Sequence, residues 1–277
     1  MKKIDYAKFH LQQLNSIITC PFCQSDFMIE NNSLICKNNH TFNISKKGTV
    51  ILYKTSKVKE DRIYNDNLFI SRRNFINLGY YDELHTKICK IINEYNTKTI
   101  LDMGCGEGSH DIKIINNLLN KKISLIGIDL AKSGIDMAND FIDKNFIGIV
   151  GDLNNLPIKN NSIDLVLNIL SPSNEKEIDR VLKKDGIIIK VTPKKEYLYE
   201  LRDALGIKEY ENEELIDKNI ATKYNIIQKE EIKTTFHINK ENLKYLVNMT
   251  PLMNNINAIP NIKSITIALN IYLLKVK

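Results

Sequence analysis

The sequence has no long hydrophobic run and few cysteines, and each absence excludes a class of protein. No segment approaches the roughly 18 consecutive apolar residues of a membrane span, and residues 1–15 lack the apolar core of a signal peptide. The 5 cysteines are an odd number with metal-type spacing, which excludes a secreted disulfide framework. Internal repeats and low-complexity linkers are also absent. We therefore expect a cytoplasmic protein with no membrane attachment.

The composition predicts a folded protein with an anionic partner. The 277 residues are 43% hydrophobic, which suffices for one large domain and a small satellite. The net charge is +6, and basic residues gather among aromatic residues between positions 46 and 81. Cations can hold phosphates while aromatic rings stack on bases, so this stretch favours RNA, although a solvated linker explains any single residue. The candidate RNA-binding residues are Lys54, Lys57, Arg72 and Arg73.

Four metal-ligand residues occur early in the chain in the pattern C-x2-C-x12-C-x3-H. They are Cys20, Cys23, Cys36 and His40. Three thiolates and an imidazole complete a tetrahedral zinc site with no open position, so the metal is predicted to be structural rather than catalytic. The alternative is ordinary reduced cysteines. We predict a zinc ribbon over residues 16–52, with short strands near 27–29, 33–35 and 49–52, after an N-terminal extension of residues 1–15.

Strand and helix patterns alternate through the middle of the chain. Strands are predicted near 98–103, 123–129, 146–150, 162–169 and 186–192, with helices near 108–120, 132–143 and 174–183. This alternation predicts an α/β fold with a parallel sheet covered by helices on both faces. After residue 204, a polar stretch precedes a strand near 226–238, a helix near 240–247 and a strand near 263–275. The last two strands are expected to form an antiparallel pair at the sheet edge, so that residues 53–277 make one domain.

A glycine-rich turn follows the first strand of this alternation. Residues 100–108 have the sequence ILDMGCGEG, in which Gly104, Gly106 and Gly108 bring the backbone close to a ligand. The spacing differs from the G-x-G-x-x-G of dinucleotide-binding proteins, and Asp102 at the strand end would repel a pyrophosphate. The ligand of this turn is therefore predicted to carry positive charge.

The turn and two later acidic residues resemble the cofactor-binding motifs of class I S-adenosylmethionine-dependent methyltransferases, whose fold is a Rossmann-like sheet. Asp129 ends the second strand, where the resemblance implies that it accepts hydrogen bonds from both ribose hydroxyls. Asp152 follows the third strand, at the corner that meets the adenine amino group. For each acid taken alone, a turn or a helix cap is the alternative. The cofactor-binding residues implied are Asp102, Gly104, Gly106, Gly108, Asp129, Leu130, Asp152 and Leu153.

Further blocks, taken with the ribbon, resemble the bacterial large-subunit rRNA guanine-N1 methyltransferases of the RlmA family. They are, in chain order, residues 71–75 with 79–80, 101–108, 156–157, 181–186, 192–193 and 249–251. The resemblance implies methyl transfer from S-adenosylmethionine to N1 of a guanine in a hairpin of domain II of 23S rRNA. It also implies a ribbon that recognises RNA, a homodimer that forms the RNA cleft and, in some members, macrolide-type resistance.

The loop after the fourth strand of the sheet is expected to meet the substrate. Asn168, Ser171 and Pro172 lie there, and we predict that they contact the edge of the target base as the catalytic set. The sequence indicates no general base for the proton on guanine N1, and the histidines outside the ribbon form no recognisable catalytic arrangement. Two other functions are compatible with the motifs: methylation of a small molecule, and non-catalytic binding of rRNA.

Overall fold

A computed structural model describes residues 1–54, 64–207, 213–250 and 259–277 of the chain. The amino-terminal part holds helix α1 (Lys3–Gln13) and three short strands, β1 (Phe27–Glu30), β2 (Ser33–Cys36) and β3 (Thr41–Asn43). Alternating strands and helices follow: β4 (Ile51–Leu52), α2 (Asp66–Asn77), α3 (Asp82–Asn93), β5 (Thr99–Met103), α4 (Ser109–Asn117), β6 (Ser124–Asp129), α5 (Lys132–Ala138), β7 (Phe146–Gly151), β8 (Ile163–Ile169), α6 (Glu175–Val181), β9 (Leu182–Pro193), α7 (Tyr199–Ala204), α8 (Glu213–Lys223), β10 (Tyr224–His237), α9 (Lys240–Met249) and β11 (Ser264–Val276). None of the helices in these ranges is long and apolar enough to cross a membrane.

The larger sheet has the strand order β10-β11-β9-β8-β5-β6-β7-β4. Strands β9, β8, β5, β6, β7 and β4 run parallel, and β11 pairs with both β9 and β10 in antiparallel fashion. The predicted α/β fold, with an antiparallel pair at one edge, is confirmed. Because parallel strands all end at the same edge of a sheet, the loops after β5, β6, β7 and β8 come together there.

Alternate side chains of the central strands build two hydrophobic cores, one on each face of the sheet. Ile100 of β5 packs on one face with Ile88 of α3 and other helical residues. Leu101 and Met103 of β5 pack on the opposite face, in a core that also contains Leu34 of the small sheet. The ribbon and the larger sheet therefore share a continuous apolar core.

The third strand of the small sheet lies elsewhere than the sequence predicts. The sheet has the order β1-β2-β3, and β3 (Thr41–Asn43) supplies its third strand by pairing with β2. The predicted strand near 49–52 is β4 instead, which pairs in parallel with β7 of the larger sheet. That part of the prediction is wrong. Val50 and Leu52 are fully buried, and the edge of the larger sheet offers apolar burial that a small ribbon cannot supply.

Residues 1–15, expected only as an extension, form α1 and pack against the region around α5. Lys3 pairs with Asp140 at 2.5 Å, and His10 Nε2 donates to the carbonyl oxygen of Ile142 at 2.8 Å. Helices α7 and α8 were not predicted from the polar sequence. In α8, Ile220 is the buried residue, so the apolar periodicity that marks a helix is weak there.

Candidate active site and metal centre

The four predicted metal ligands meet at one end of the small sheet. Cys20 and Cys23 lie before β1, Cys36 ends β2, and His40 precedes β3. Their ligand atoms all lie within 4.8 Å of one another. His40 Nδ1 is 3.3 Å from Cys36 Sγ and 3.5 Å from Cys20 Sγ, and Cys23 Sγ is 3.6 Å from Cys36 Sγ. Edges of about 3.3–3.8 Å are those of a tetrahedron around zinc with bonds of about 2.0–2.3 Å.

The donor set fits zinc, and the site is a structural one. Thiolate and imidazole are ligands that zinc prefers, and four protein ligands leave no position for a substrate. The backbone is shaped for this arrangement, because Gln24 adopts a left-handed conformation (φ 57°) and its N–H donates to the carbonyl oxygen of Cys20 at 2.7 Å. Zinc bound there would hold the turn and β2 together in a segment too small to fold on its own apolar burial. The chain therefore carries a structural zinc site.

The glycine-rich turn connects β5 to α4. Gly104 has a φ of 86°, and a Cβ atom there would lie 1.8 Å from Ser171 Oγ. Gly108, with a φ of 76°, is the N-cap of α4 and packs against Ala138 of α5. Both positions combine a left-handed backbone with close neighbours, so a side chain is excluded. At Gly104 the backbone itself therefore forms part of the cavity wall.

Asp129 ends β6 beside this turn. Its Oδ2 accepts a hydrogen bond from the N–H of Gly106 at 3.0 Å, and its Oδ1 accepts one from the N–H of Ala131 at 2.9 Å. Each carboxylate oxygen keeps a second lone pair, so the group can still accept hydrogen bonds from two ribose hydroxyls. Burial raises the pKa of Asp129, while the N–H donors of Ala131 and Gly106 oppose that shift.

Asp102 lies at the end of β5, close to Glu107 and Asp111. All three carboxyl groups are buried, and none forms a salt bridge within the described residues. The Oδ1 atom of Asp102 is buried without a hydrogen-bond partner. Burial raises the pKa of Asp102 to about 7, and the negative charge of Asp129 adds to that shift. A sulfonium or ammonium group in the cavity would supply the missing positive partner, so the residues present fit S-adenosylmethionine.

These groups border a cavity of about 1420 Å³ at the carboxyl ends of the parallel strands. The predicted cofactor residues that line it are Asp102, Gly104, Asp129, Leu130, Asp152 and Leu153. Gly106 and Gly108 shape the turn instead of lining the wall. Asp152 Oδ1 accepts a hydrogen bond from the N–H of Asn154 at 2.8 Å, which fixes the corner expected to meet the adenine. The volume exceeds the roughly 300–1,000 Å³ of a common small-molecule site, so it has room for a cofactor and an acceptor group.

The predicted catalytic residues divide between the cavity wall and the layer behind it. Ser171 and Pro172 line the cavity, whereas Asn168 is 1% exposed and lies behind them. Asn168 Nδ2 donates to the carbonyl oxygens of Met103 and Pro172 at 2.9 and 3.2 Å, and its Oδ1 accepts from Lys190 Nζ at 2.8 Å. The amide of Asn168 is thus occupied within the chain, where it ties the loop after β8 to β5. This arrangement gives Asn168 a positioning role rather than the direct base contact that the sequence predicts.

The adjacent arginines of α2 have different surroundings. Arg73 Nη1 pairs with Asp140 at 2.7 Å, and its Nη2 donates to the carbonyl oxygen of Met137 at 2.6 Å. Its guanidinium also lies 4.8 Å from the ring centroid of Phe141. These contacts fasten α2 to the end of α5. These contacts give Arg73 a structural role and do not support the prediction that it binds RNA phosphates, which stays a prediction.

Arg72 borders the cavity beside the glycine-rich turn. Its Nη1 lies 3.1 Å from the position of a Cβ atom on Gly106, and its guanidinium is 5.6 Å from the ring centroid of Phe69. Its Nη2 is 3.5 Å from the carbonyl oxygen of Met249, at the limit of a hydrogen bond, and no described carboxylate forms a salt bridge with it. A cation at this position favours an anionic group of a ligand inside the cavity over RNA phosphates.

The two predicted RNA-binding lysines follow β4. Lys54 is exposed, and Lys57 lies outside the described residues. Lys46 and Lys47, at the junction of the ribbon and β4, are exposed as well, and Lys47 pairs with Asp136 at 3.2 Å. The described lysines of this basic stretch are therefore open to solvent.

Another part of the cavity wall contains aromatic side chains, of which the sequence pointed only to Tyr81, as one of the aromatic residues of the basic stretch. Tyr81, His110 and Tyr197 line the cavity. The hydroxyl oxygens of Tyr81 and Tyr197 lie 2.6 Å apart, and the ring of Tyr81 meets the imidazole of His110 edge-on with centroids 5.2 Å apart. Planar side chains suit a planar acceptor such as a nucleobase. Tyr81 directly follows residues 79–80, one of the blocks that resemble the RlmA family. The sequence around His110 contains no motif that would mark it as a site residue.

The fold and the site define a class I S-adenosylmethionine-dependent methyltransferase with a zinc ribbon. Residues 95–246 match the family described as "Methyltransferase domain", and residues 18–56 match the family described as "RlmA, N-terminal". The chain belongs to the RlmA family of methyltransferases, as its relatives show.

Two curated relatives cover most of the chain. YxjB of Bacillus subtilis (strain 168), provisionally named a 23S rRNA (guanine-N(1)-)-methyltransferase, is 35% identical over 251 residues, which are 86% of this chain and 86% of that protein. The 23S rRNA (guanine(748)-N(1))-methyltransferase of Streptomyces fradiae is 23% identical over 267 residues, which are 91% of this chain and 94% of that protein. Among solved structures, the YcgJ protein of Bacillus subtilis is 20% identical with a TM-score of 0.45, over 70% of this chain and 98% of its own.

Proposed function

We propose that this protein transfers a methyl group from S-adenosylmethionine to N1 of a guanine in a hairpin of domain II of 23S rRNA. The observation that carries the proposal is the cavity in which buried carboxylates and a glycine-rich turn meet an aromatic wall. The names of the two relatives support guanine N1 of 23S rRNA as the acceptor. A substrate of this kind agrees with the cytoplasmic location that the sequence predicts.

Bound S-adenosylmethionine supplies an electrophilic methyl group, and the residues of the chain have to align an acceptor with it. Asp129 would hold the ribose and Asp102 the positive end of the cofactor, while Ser171 and Pro172 border the space for the acceptor base. Asn168 keeps that loop in place through its bonds to Met103 and Pro172. Alignment of nucleophile, methyl carbon and leaving sulfur supplies most of the rate in such a displacement. N1 lies on the pairing edge of guanine, so the base must be unpaired or turned out.

A transfer assay separates this function from its two rivals. Labelled S-adenosylmethionine would be incubated with the protein and 23S rRNA from a strain lacking the methyltransferase, followed by primer extension. Methylation at N1 blocks base pairing, so we expect a strong stop at one guanine of the hairpin. A metabolite extract supplied in place of the rRNA, if it yields a labelled product other than S-adenosylmethionine, would favour a metabolite enzyme. Stable RNA binding with no label transferred would favour a non-catalytic binding protein.

Two further parts of the proposal concern RNA recognition. We infer that the zinc ribbon and the exposed lysines beside it, including Lys54, contact the rRNA. We also infer that two subunits pair to form the RNA cleft, so light scattering is expected to give twice the 31.9 kDa chain mass. Macrolide-type resistance belongs to some members of the family and is tested by comparing drug susceptibility with and without the gene.

The placement of Arg72 predicts a role in cofactor binding. We expect Arg72→Gln to weaken S-adenosylmethionine binding by roughly 10- to 100-fold, since a charge-assisted hydrogen bond to the cofactor carboxylate is worth about 1.5–3 kcal/mol. Calorimetry checks this with 5′-methylthioadenosine as the control ligand, because that molecule lacks the amino-acid part and should bind both proteins equally. An equal loss for both ligands would show that Arg72 shapes the site without meeting the carboxylate.

The raised pKa of Asp102 predicts that cofactor binding depends on pH. In the free protein, burial places this pKa at about 7, and a bound cation favours the ionised carboxylate and so lowers the pKa. Affinity for S-adenosylmethionine should therefore rise with pH by up to about tenfold per unit below pH 7 and level off above it. Calorimetry in buffers of different ionisation enthalpy should detect proton release on binding. In Asp102→Asn the affinity should be lower and nearly independent of pH; a pH-independent wild type would contradict the assignment.

A further inference from the structure

A pair of histidines connects the cavity with the protein surface. His85 Nε2 and His110 Nδ1 are 2.9 Å apart, and His110 lines the cavity. On its far side, His85 Nδ1 is 3.7 Å from Asp82 Oδ1 and is buried without a hydrogen-bond partner. The side chain of His85 is 1% exposed, whereas that of Asp82 is 61% exposed. Asp82, His85 and His110, here called the histidine relay, thus lie in line from solvent to the cavity, with a hydrogen bond between the two histidines and a longer approach of 3.7 Å between His85 and Asp82.

This inference rests on the proposed function. If the protein methylates guanine N1, the reaction needs a group that takes up a proton inside the cavity. Guanine N1 carries a proton, and that proton has to leave when a methyl group bonds to the nitrogen. His110 lines the cavity that would hold the acceptor base, so its ring is placed to take up that proton. The Nδ1 atom of His110 is engaged with His85, which leaves Nε2 as the ring nitrogen available to a ligand.

The charges around the two histidines disfavour a stable imidazolium, so a proton accepted by the pair would be passed on rather than held. Burial lowers the pKa of His85 to about 4, and it lowers the pKa of His110 as well. Arg72 of α2 faces His110, and Lys113 of α4 faces His85 and lies 3.4 Å from Asp82 Oδ1. Both cations disfavour an imidazolium, and Asp82 is the carboxylate that opposes them. Each histidine is therefore neutral at rest, with one nitrogen protonated and one free to accept.

We propose that His110 accepts the proton of guanine N1 and that His85 and Asp82 conduct it to solvent. The bond between N1 and the methyl carbon forms while the bond between carbon and sulfur breaks, and its electron pair becomes a lone pair of the thioether. The N1–H electron pair stays on the guanine ring, and the proton goes to His110 Nε2. The proton on His110 Nδ1 moves to His85 Nε2, and the proton on His85 Nδ1 leaves through Asp82. The pair ends neutral with both tautomers reversed. His110 is the catalytic residue, and His85 and Asp82 are positioning residues.

Single-turnover methyl transfer to the rRNA hairpin, with saturating S-adenosylmethionine between pH 6 and 9, tests the relay. We expect His110→Gln to lower the rate at pH 7 by about 100-fold and His85→Gln by about tenfold, as for loss of a general base and of its partner. Both deficits should shrink as pH rises, because solution base then removes the proton. Added imidazole should restore part of the His110→Gln rate. The control is His237→Gln, which replaces an exposed histidine of β10 and should match the wild type.

Two further measurements test the relay even if a variant of a buried histidine folds poorly. Asp82→Asn changes an exposed end of the relay, so it should stay folded while its rate falls several-fold with the same dependence on pH. Calorimetric affinity for S-adenosylmethionine should stay near wild type in all variants. Variants that lose rate equally at every pH, or that lose only cofactor affinity, would overturn the relay. A wild type that does not methylate guanine N1 would instead overturn the proposed function, which the same assay shows separately.

Discussion

Replacement of Cys36 by serine is expected to release zinc and unfold the ribbon while the cofactor site stays intact. Cys36 is 1% exposed at the end of β2, and its Sγ lies 3.3 Å from His40 Nδ1 and 3.6 Å from Cys23 Sγ. Loss of this thiolate leaves three ligands around the metal and a buried hydroxyl that zinc binds poorly. Zinc binding supplies about 10–16 kcal/mol of apparent folding free energy in zinc-finger peptides, far more than so small a sheet gains from apolar burial.

The zinc prediction is checked by metal content and by limited proteolysis. Wild-type protein should carry one zinc ion per chain, and Cys36→Ser should carry little and be cut rapidly within residues 16–52. Cys89→Ser is the matched control, because Cys89 is a buried free thiol far from the cluster in sequence and should leave zinc content unchanged. Affinity for S-adenosylmethionine should change little, whereas affinity for the rRNA hairpin should fall at least tenfold. Full zinc content and protease resistance in Cys36→Ser would contradict the assignment.

Substitution of Gly104 by alanine is expected to abolish cofactor binding with little loss of folded protein. The added Cβ would lie 1.8 Å from Ser171 Oγ and 2.7 Å from Ser171 Cβ, so either the turn or the loop after β8 must move. The φ of 86° adds strain of about 1–2 kcal/mol for a residue with a side chain. Both displaced segments border the cavity, so their movement changes the wall that would hold the cofactor.

A second glycine separates the effect of the contact from that of backbone strain. Gly206 also has a positive φ, 62°, but no heavy atom lies within 4 Å of a Cβ added there. Gly206→Ala should therefore show the strain alone, with nearly normal binding. We expect calorimetry to show at least a 100-fold loss of S-adenosylmethionine affinity in Gly104→Ala. Similar affinities for the two alanine variants would rule out the close approach between Gly104 and Ser171 as the cause.

Local sequence patterns predicted a large share of this protein. The spacing of Cys20, Cys23, Cys36 and His40 fixes a four-ligand site because zinc coordination restricts where ligands can lie along a short turn. The glycine-rich turn after β5 is predictable for a related reason, since positive φ angles and close contacts demand glycine. Alternation of buried strands and helices predicted the parallel sheet. In such a sheet the strands end at the same edge, so the acidic residues at the strand ends are expected to meet there.

Other features escaped prediction because they depend on packing between distant segments. Arg72 and Arg73 are neighbours on α2, but side chains one residue apart on a helix point about 100° apart. Docking of α2 decides that Arg72 borders the cavity while Arg73 pairs with Asp140. The same holds for His85 and His110, which lie on separate helices and meet at 2.9 Å only in the folded chain.

What the sequence by itself determined is each element whose physics is local: the zinc turn, the glycine-rich turn and the periodicity of strands and helices. Tertiary structure alone decided the position of β4 at the edge of the larger sheet, the engagement of Asn168 behind the cavity wall, and the path from His110 to Asp82. The reason is physical. Coordination geometry and backbone conformation restrict neighbouring residues directly, whereas side-chain partners far apart in the chain are chosen by which faces of helices and strands pack together.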